Sequence, residues 1–204
     1  MTKLLLATNN QGKLREYQML LQGLPYELVT LAEVAIGQVS EDGKSLEENA
    51  ELKARICAER SQLLTLADDS GLEVDALGGE PGPLSARYAG EGASDNERIA
   101  YLLSRLGDVP WSERSARFRC VIAVATPAGE VELCSGECPG YITFEPRGEQ
   151  GFGYDPIFYL PELGRTMAEL PLATKNRISH RGRAARQAYQ VLDRLGDRRY
   201  KNGL

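Results

Sequence analysis

The segment Leu63-Leu64-Thr65-Leu66-Ala67-Asp68-Asp69-Ser70-Gly71 constrains this chain more than any other. An apolar run with the character of a buried strand ends in two adjacent carboxylates. Carboxylates at the margin of a core must be paired, hydrogen-bonded or neutralised, so they call for a cation or a catalytic task. Ser70 adds a hydroxyl, and Gly71 gives the backbone freedom to turn tightly around a bound group. A strand followed by an ordinary Asx-type turn explains the same residues, because Asp, Ser and Gly are the usual turn formers. Both explanations stand on this segment alone.

The flanking pattern predicts an α/β fold. Lys3 to Ala7 has the character of a buried strand, and Gly12 to Leu21 places Leu14, Tyr17, Leu20 and Leu21 on one helix face. Tyr26 to Leu31 is a second strand candidate. Ser45 to Ser61 reads as a helix, with Ser45 as its cap and Glu48 as the capping-box partner. After the carboxylate turn, Leu72 to Leu77 alternates as a strand and Gly78 to Pro83 is a loop. Asp95 to Leu106 is a helix capped by Ser94 or Asp95. Ala116 to Thr126, Glu130 to Glu137 and Gly140 to Phe144 are three strands, the first two joined at Pro127-Ala128-Gly129. Ile157 to Leu160 is short and apolar, and Ser179 to Leu195 closes the chain as a helix. Interleaved helices and strands with a hairpin insertion predict a mixed sheet.

Composition narrows the class. A chain of 204 residues buries roughly 70% of its unfolded surface, enough for one domain over residues 1–204 with two lobes. No segment approaches the ~20 apolar residues that span a bilayer. The apolar run near Met1 is too short for a signal peptide, so a cytoplasmic protein with no membrane partner is expected. There Cys57, Cys120, Cys134 and Cys138 are reduced thiols. Zinc is disfavoured, since four ligands are needed and the only histidine, His180, is remote. A net charge of −5 argues against a nucleic-acid duplex as partner, but not against a single nucleotide.

Five further segments carry candidate chemistry. Thr8-Asn9-Asn10-Gln11-Gly12-Lys13 lies between a strand and a helix, where free N–H groups and the dipole favour phosphate. It lacks the glycine-rich run of a Walker A loop, and a polar loop with an Asn cap is the alternative. Glu41-Asp42-Gly43 precedes a helix whose inner face carries Glu48, Asn49 and Lys53. Glu41 is placed to join Asp68 or Asp69 on Mg²⁺, or simply to complement the helix dipole. Glu149 to Pro156 contains Phe152, Gly153, Tyr154 and Asp155, two flat faces and a carboxylate suited to a base, or a glycine-rich turn packed on the core. Lys175-Asn176-Arg177-Ile178-Ser179-His180-Arg181 gathers positive charge at an expected helix start, where an anion would compensate it. Arg87, in Ser85-Ala86-Arg87-Tyr88, is a further anionic contact or part of a solvated turn.

Taken in order from residue 8 to residue 181, these segments make the chain resemble the inosine/xanthosine triphosphate pyrophosphatases, the RdgB-type XTP/dITP diphosphatases that hydrolyse deaminated purine nucleotides. The matching pieces are Thr8 to Lys13, Glu41-Asp42-Gly43 with Glu48-Asn49-Ala50 and Lys53-Ala54, Ala67 to Leu72, Pro81-Gly82, Ser85 to Tyr88, Gly151 to Pro156, and Ser179-His180-Arg181. The resemblance implies an elongated mixed sheet flanked by helices, two lobes around a central cleft, a homodimer, and Mg²⁺-dependent conversion of a purine nucleoside triphosphate to monophosphate and pyrophosphate. It also implies Asp69 as general base and metal contact, with Glu41 on the same metal. Thr8 to Lys13 are implied on the phosphates, with Ser70 and Lys175 as further substrate contacts. Phe152 to Asp155 with His180 and Arg181 are implied as the base pocket, and Asp68, Lys53 and Arg87 as support. One departure is Asn9, where the family often has glycine; Asn tolerates a left-handed backbone better than most residues.

The chemistry is consistent with these residues. Phosphoanhydride cleavage needs charge neutralisation and an oriented water more than covalent chemistry, and with one histidine a carboxylate is the economical base. Donors aimed at a 6-oxo group are mismatched to a 6-amino group, and such sites discriminate by ~10⁴ or more. Arg181 and nearby backbone N–H groups are the expected donors, with Asp155 shaping the rest of the edge. A Maf-type pyrophosphatase is countered by Phe152 to Asp155 together with Ser179-His180-Arg181. A silent nucleotide-binding module is countered by Glu41, Asp68 and Asp69. A haloacid-dehalogenase-like phosphatase would release orthophosphate instead.

Overall fold

The computed structural model describes residues 2–37, 39–40 and 42–202, with side chains as far as residue 196. The continuous apolar run at the N-terminus forms β1 (Thr2–Leu6), which runs parallel to β2 (Tyr26–Thr30) and to β3 (Leu64–Val74). Parallel neighbours need crossover connections, and α1 (Gln11–Leu20) and α2 (Leu46–Ser61) supply them. Side chains alternate along a strand, so a strand covered on both faces must be apolar at every position. Leu4, Leu6, Leu64 and Leu66 pack with Leu14 and Tyr17 of α1 and with Ala184, Ala188 and Leu192 of α5 (His180–Asn202). Leu5, Ala7 and Ala67 pack on the other side, with Leu46, Ala50 and Ala54 of α2. The two faces of β3 therefore belong to different helices.

Two compact units divide the chain: Met1–Asp69, Cys120–Gly136 and Arg181–Leu204 make one, and Ser70–Arg119 and Glu137–His180 the other. The first holds the parallel strands with α1, α2 and nearly all of α5. The second contains β4 (Pro81–Gly82), α3 (Asp95–Leu106), β7 (Phe158–Leu160), β8 (Arg165–Thr166) and α4 (Leu172–Ile178). Its core joins Leu72 and Val74 to Ile99, Leu102, Phe118 and Phe158. The strands β3, β5 (Ser115–Ala125) and β6 (Val131–Ile142) contribute residues to both. Hydrogen bonding orders the described strands β2-β1-β3-β5-β6-β7-β8, with β4 antiparallel to β3. This is the mixed-sheet α/β class that the sequence pattern predicts.

Several elements differ from expectation. The carboxylate segment is no turn: β3 runs through Asp68, Asp69, Ser70 and Gly71 without a break. Gly71 serves close approach, because a Cβ there would lie 2.3 Å from the Gly82 carbonyl oxygen. The strand ends at Val74, and Asp75 to Leu77 form a 3-10 turn. Glu130 to Glu137 and Gly140 to Phe144 are one strand, β6, despite the Pro139-Gly140 pair that suggests a break. Here too glycine admits a neighbour, since a Cβ on Gly140 would meet the Phe158 ring at 2.7 Å. Lys175 to Ile178 lie in the later part of α4, a helix the charge pattern concealed. Its cations occupy the end the dipole favours, so their clustering requires no anion.

Candidate active site

The pleat of β3 separates the two adjacent carboxylates. Leu64 and Leu66 face α1 and α5, and Asp68, two residues on, meets side chains from those same helices. Its Oδ2 lies 3.1 Å from Lys13 Nζ of α1 and accepts a hydrogen bond from Arg181 Nε of α5 at 3.3 Å. Arg181 Nη1 also donates to Glu16 Oε2 at 2.6 Å. Glu16, Asp68 and Arg181 are all buried, and Asp68 Oδ1 has no partner among the described residues. Burial would push the Asp68 carboxyl up, but Lys13, Arg181 and Lys53 together hold it well below the usual carboxylate range. Burial likewise opposes the Arg181 charge, and Glu16 and Asp68 more than offset it. Cys120 donates weakly to Asp68 Oδ2 at 3.8 Å, and burial, reinforced by the Asp68 charge, pushes its thiol up to about 12.

Asp69 meets a different helix, as Ala67 does. Its Oδ2 accepts from Asn49 Nδ2 of α2 at 2.9 Å. Lys53, one helical turn further on, donates to the Asp68 carbonyl oxygen at 2.7 Å and so ties α2 to the strand at this point. Ser45 caps α2 through Glu48 N at 3.1 Å. The Glu48 carboxylate accepts from Lys44 N at 2.7 Å, one residue before the position a capping box uses.

The loop before α1 carries the expected phosphate donors. Asn10 caps the helix by accepting from Lys13 N at 3.1 Å, and Thr8 Oγ1 accepts from Asn10 N at 3.2 Å. Asn9, Asn10 and Gln11 are exposed, and Thr8, Gly12 and Lys13 are half-buried. The first unit therefore brings together Thr8 to Lys13, Lys53, Asp68, Asp69 and Arg181. Glu41 lies outside the described residues.

The second unit holds the other candidates. Asp155 is buried, accepts from Phe152 N at 3.0 Å and pairs with Lys175 Nζ. That ammonium stands 4.7 Å from the centroid of the half-buried Phe152 ring. Gly153 N donates to Asp95 Oδ2 at 2.6 Å. Tyr154 is not a free flat face: its ring lies in the core, and its hydroxyl donates to the Ser85 carbonyl oxygen at 2.9 Å. His180 is buried and stacks on Phe118 with centroids 4.7 Å apart. Ser70 and Arg87 are half-buried.

Sequence reasoning did not single out Glu16, Asn49 as a partner of Asp69, or Asp95. Glu16 follows Lys13 by three positions on a helix, a spacing that places neighbours together but does not reveal burial.

No three of His, Cys, Asp and Glu gather to cage a metal among the described residues. Mg²⁺ needs no such cage, since it is commonly held by one or two carboxylates with substrate phosphates and waters. Lys13, Lys53 and Arg181 are matched in formal charge by Glu16, Asp68 and Asp69, so the group has no surplus positive charge for a triphosphate. The donor set fits a cation that arrives with the substrate.

Comparison with known proteins identifies the family. A dITP/XTP pyrophosphatase of Geobacter sulfurreducens is 55% identical over 185 residues, 90% of this chain and 93% of that protein. One from Desulforamulus reducens is 52% identical over 194 residues, covering 95% of this chain and 96% of that protein. Among solved structures, a HAM1 protein from Coxiella burnetii superposes with a TM-score of 0.86 at 45% identity, over 94% of this chain and 98% of that one. The Staphylococcus aureus Ham1 protein gives 0.84 at 42% identity, with the same coverage. With residues 4–191 matching the family as a whole, the chain belongs to the Ham1 family.

Proposed function

We propose that this chain is a single nucleoside triphosphate pyrophosphatase domain that hydrolyses deaminated purine nucleoside triphosphates (ITP, dITP, XTP and dXTP) to the monophosphate and pyrophosphate. In this role it cleanses the nucleotide pool of bases that must not enter DNA or RNA. The observation that carries most weight is the division of labour on β3. Asp68 faces Lys13 and Arg181, while Asp69 lies on the other side of the strand and accepts from Asn49 Nδ2 of α2. Asp68 is committed to a buried charge network with Arg181 and Glu16, which leaves the proton-accepting role to its neighbour. The names of the relatives support the substrate class.

Asp69 is assigned as general base, taking the proton of the water that attacks the phosphoanhydride. Asp69 and Glu41 are the residues assigned to hold Mg²⁺, which when bound neutralises part of the triphosphate charge. Thr8, Asn9, Asn10, Gln11 and Gly12 offer the N-terminus of α1 and its polar side chains to the phosphates. Lys13 adds a charge held in place by Asp68, and Asp68, Lys53 and Arg87 are assigned as supporting residues. Ser70 and Lys175 are further substrate contacts. Phe152, Gly153 and Asp155 receive the base, with Tyr154 fixing the loop from beneath. His180 belongs to the same pocket, and Arg181 serves it from the start of α5 while its guanidinium holds Asp68 and Glu16. A cytoplasmic homodimer completes the assignment, and sedimentation of the purified chain at twice its mass tests the dimer.

The deciding assay incubates the protein with ITP, XTP, dITP, ATP and GTP, with Mg²⁺ and with chelator, and measures pyrophosphate and orthophosphate separately. Pyrophosphate release from ITP, XTP and dITP that needs Mg²⁺ is expected. Orthophosphate as the first product, or ATP turning over as fast as ITP, overturns the assignment.

A further inference from the structure

Asn49 lies on the inner face of α2, 1% exposed, with both ends of its carboxamide engaged. Its Oδ1 accepts from Gly43 N at 2.7 Å, and its Nδ2 donates to Asp69 Oδ2 at 2.9 Å. The first bond fixes the second: an amide oxygen committed to a backbone N–H must turn its NH₂ the other way. The turn is built for this approach. A Cβ on Gly43 would lie 2.6 Å from Asn49 Oδ1 and 2.9 Å from Glu48 Cβ, so residue 43 has no room for a side chain. Ser45 and Glu48 hold the same turn, through Glu48 N and Lys44 N.

We infer that Asn49 is a positioning residue for Asp69, setting the rotamer of that carboxylate from the backbone of the Gly43 turn. This rests on Asp69 being the general base. An NH₂ donor at hydrogen-bond distance fixes the direction of one carboxylate oxygen. An aspartate at 49 has the same shape but sets two carboxylates against each other and loses the donor. Asn49 touches no reacting atom in this assignment. Its effect passes through Asp69, and supporting contacts of this kind commonly change activity by about 10–100-fold.

Steady-state pyrophosphate release from ITP by Asn49→Ala, Asn49→Asp, Asp69→Asn and the double variant Asn49→Ala/Asp69→Asn tests this. Asn49→Ala and Asn49→Asp are expected to lower kcat by about 10–100-fold while KM moves by less than about three-fold. The double variant is expected to be no slower than Asp69→Asn, because one residue acts through the other. The same four proteins, melted without nucleotide or divalent cation, are expected to show non-additive shifts in Tm. A normal kcat in Asn49→Ala, or independent losses that multiply in the double variant, overturns the positioning role. Full turnover by Asp69→Asn instead overturns the base assignment, so the two failures are distinguishable. Should Asn49→Ala not fold, Gly43→Ala carries the test from the other end of the amide, and an unchanged kcat there also overturns the role.

Discussion

Lys13 Nζ stands 3.1 Å from Asp68 Oδ2, so the lysine of the phosphate loop is anchored by a carboxylate 55 residues away in sequence. A flexible four-carbon side chain is thereby held at the start of α1. The cost of ordering it is met when the protein folds and not when substrate arrives.

Removing that anchor has a defined consequence. Asp68→Asn leaves Lys13 and Arg181 with one anion fewer in a buried site, and removing one partner of a buried pair destabilises by about 3–5 kcal/mol. The Asp68 carboxyl is held below its ordinary value, so its contribution is present above the unfolded carboxyl pKa of about 4 and fades as pH falls further. Urea unfolding without divalent cation is expected to show a large gap between wild type and Asp68→Asn at pH 7 and a shrinking one below pH 4. A constant gap across that range contradicts this account.

Asp69→Asn preserves the shape of the side chain and removes its basicity. Folding is expected to persist, while pyrophosphate release from ITP falls by about 10²–10⁴-fold, the usual worth of a positioned base. Matching circular dichroism spectra with unchanged turnover would remove Asp69 from that role.

Gly151 has φ +78°, and a Cβ there would lie 2.0 Å from Asp155 Oδ2. Gly151→Ala pays about 1–2 kcal/mol for the left-handed backbone alone and must also displace the carboxylate that pairs with Lys175. A lower Tm and a raised KM for ITP are expected together. A KM equal to that of wild type separates this loop from base binding.

The thiols should be silent in the native state. Cys57, Cys120, Cys134 and Cys138 are all buried and none is in a disulfide. Burial raises the Cys57 thiol and pushes Cys134 up to about 11 and Cys120 to about 12. At pH 8 Cys57, Cys120 and Cys134 are therefore held as thiols, and only the thiolate is nucleophilic. A disulfide reagent is expected to react slowly with the native protein and to count four thiols in guanidinium chloride. Rapid native labelling of any one of them contradicts the burial.

Much of the fold was legible because it follows from period and punctuation. The unbroken run Leu4-Leu5-Leu6 announces a strand covered on both faces, and α3 runs over the residues the Ser94 cap and the apolar spacing predict. Segments with glycine or proline were misjudged wherever those residues serve contact instead of chain reversal. Gly71 lies against the Gly82 carbonyl and Gly140 against Phe158, and nothing local distinguishes such a glycine from one in a turn. The residues of the Lys175 to Arg181 run were found, but their helix placement was not. The predicted dipole conflict is absent for Lys175 and Arg177, which end α4, and remains for Arg181, which begins α5 and is paired with Glu16 and Asp68.

The α/β class, the family resemblance and the candidate residues are all readable along the chain, because apolar periodicity and ordered short motifs are local properties. Packing in three dimensions is what gives each of the two neighbouring carboxylates its own partners. Adjacent residues on an extended strand point to opposite faces. Asp68 therefore meets Lys13 and Arg181, and Asp69 meets Asn49. Those partners come from helices distant in sequence, and only packing on the two sides of β3 brings each to its own carboxylate.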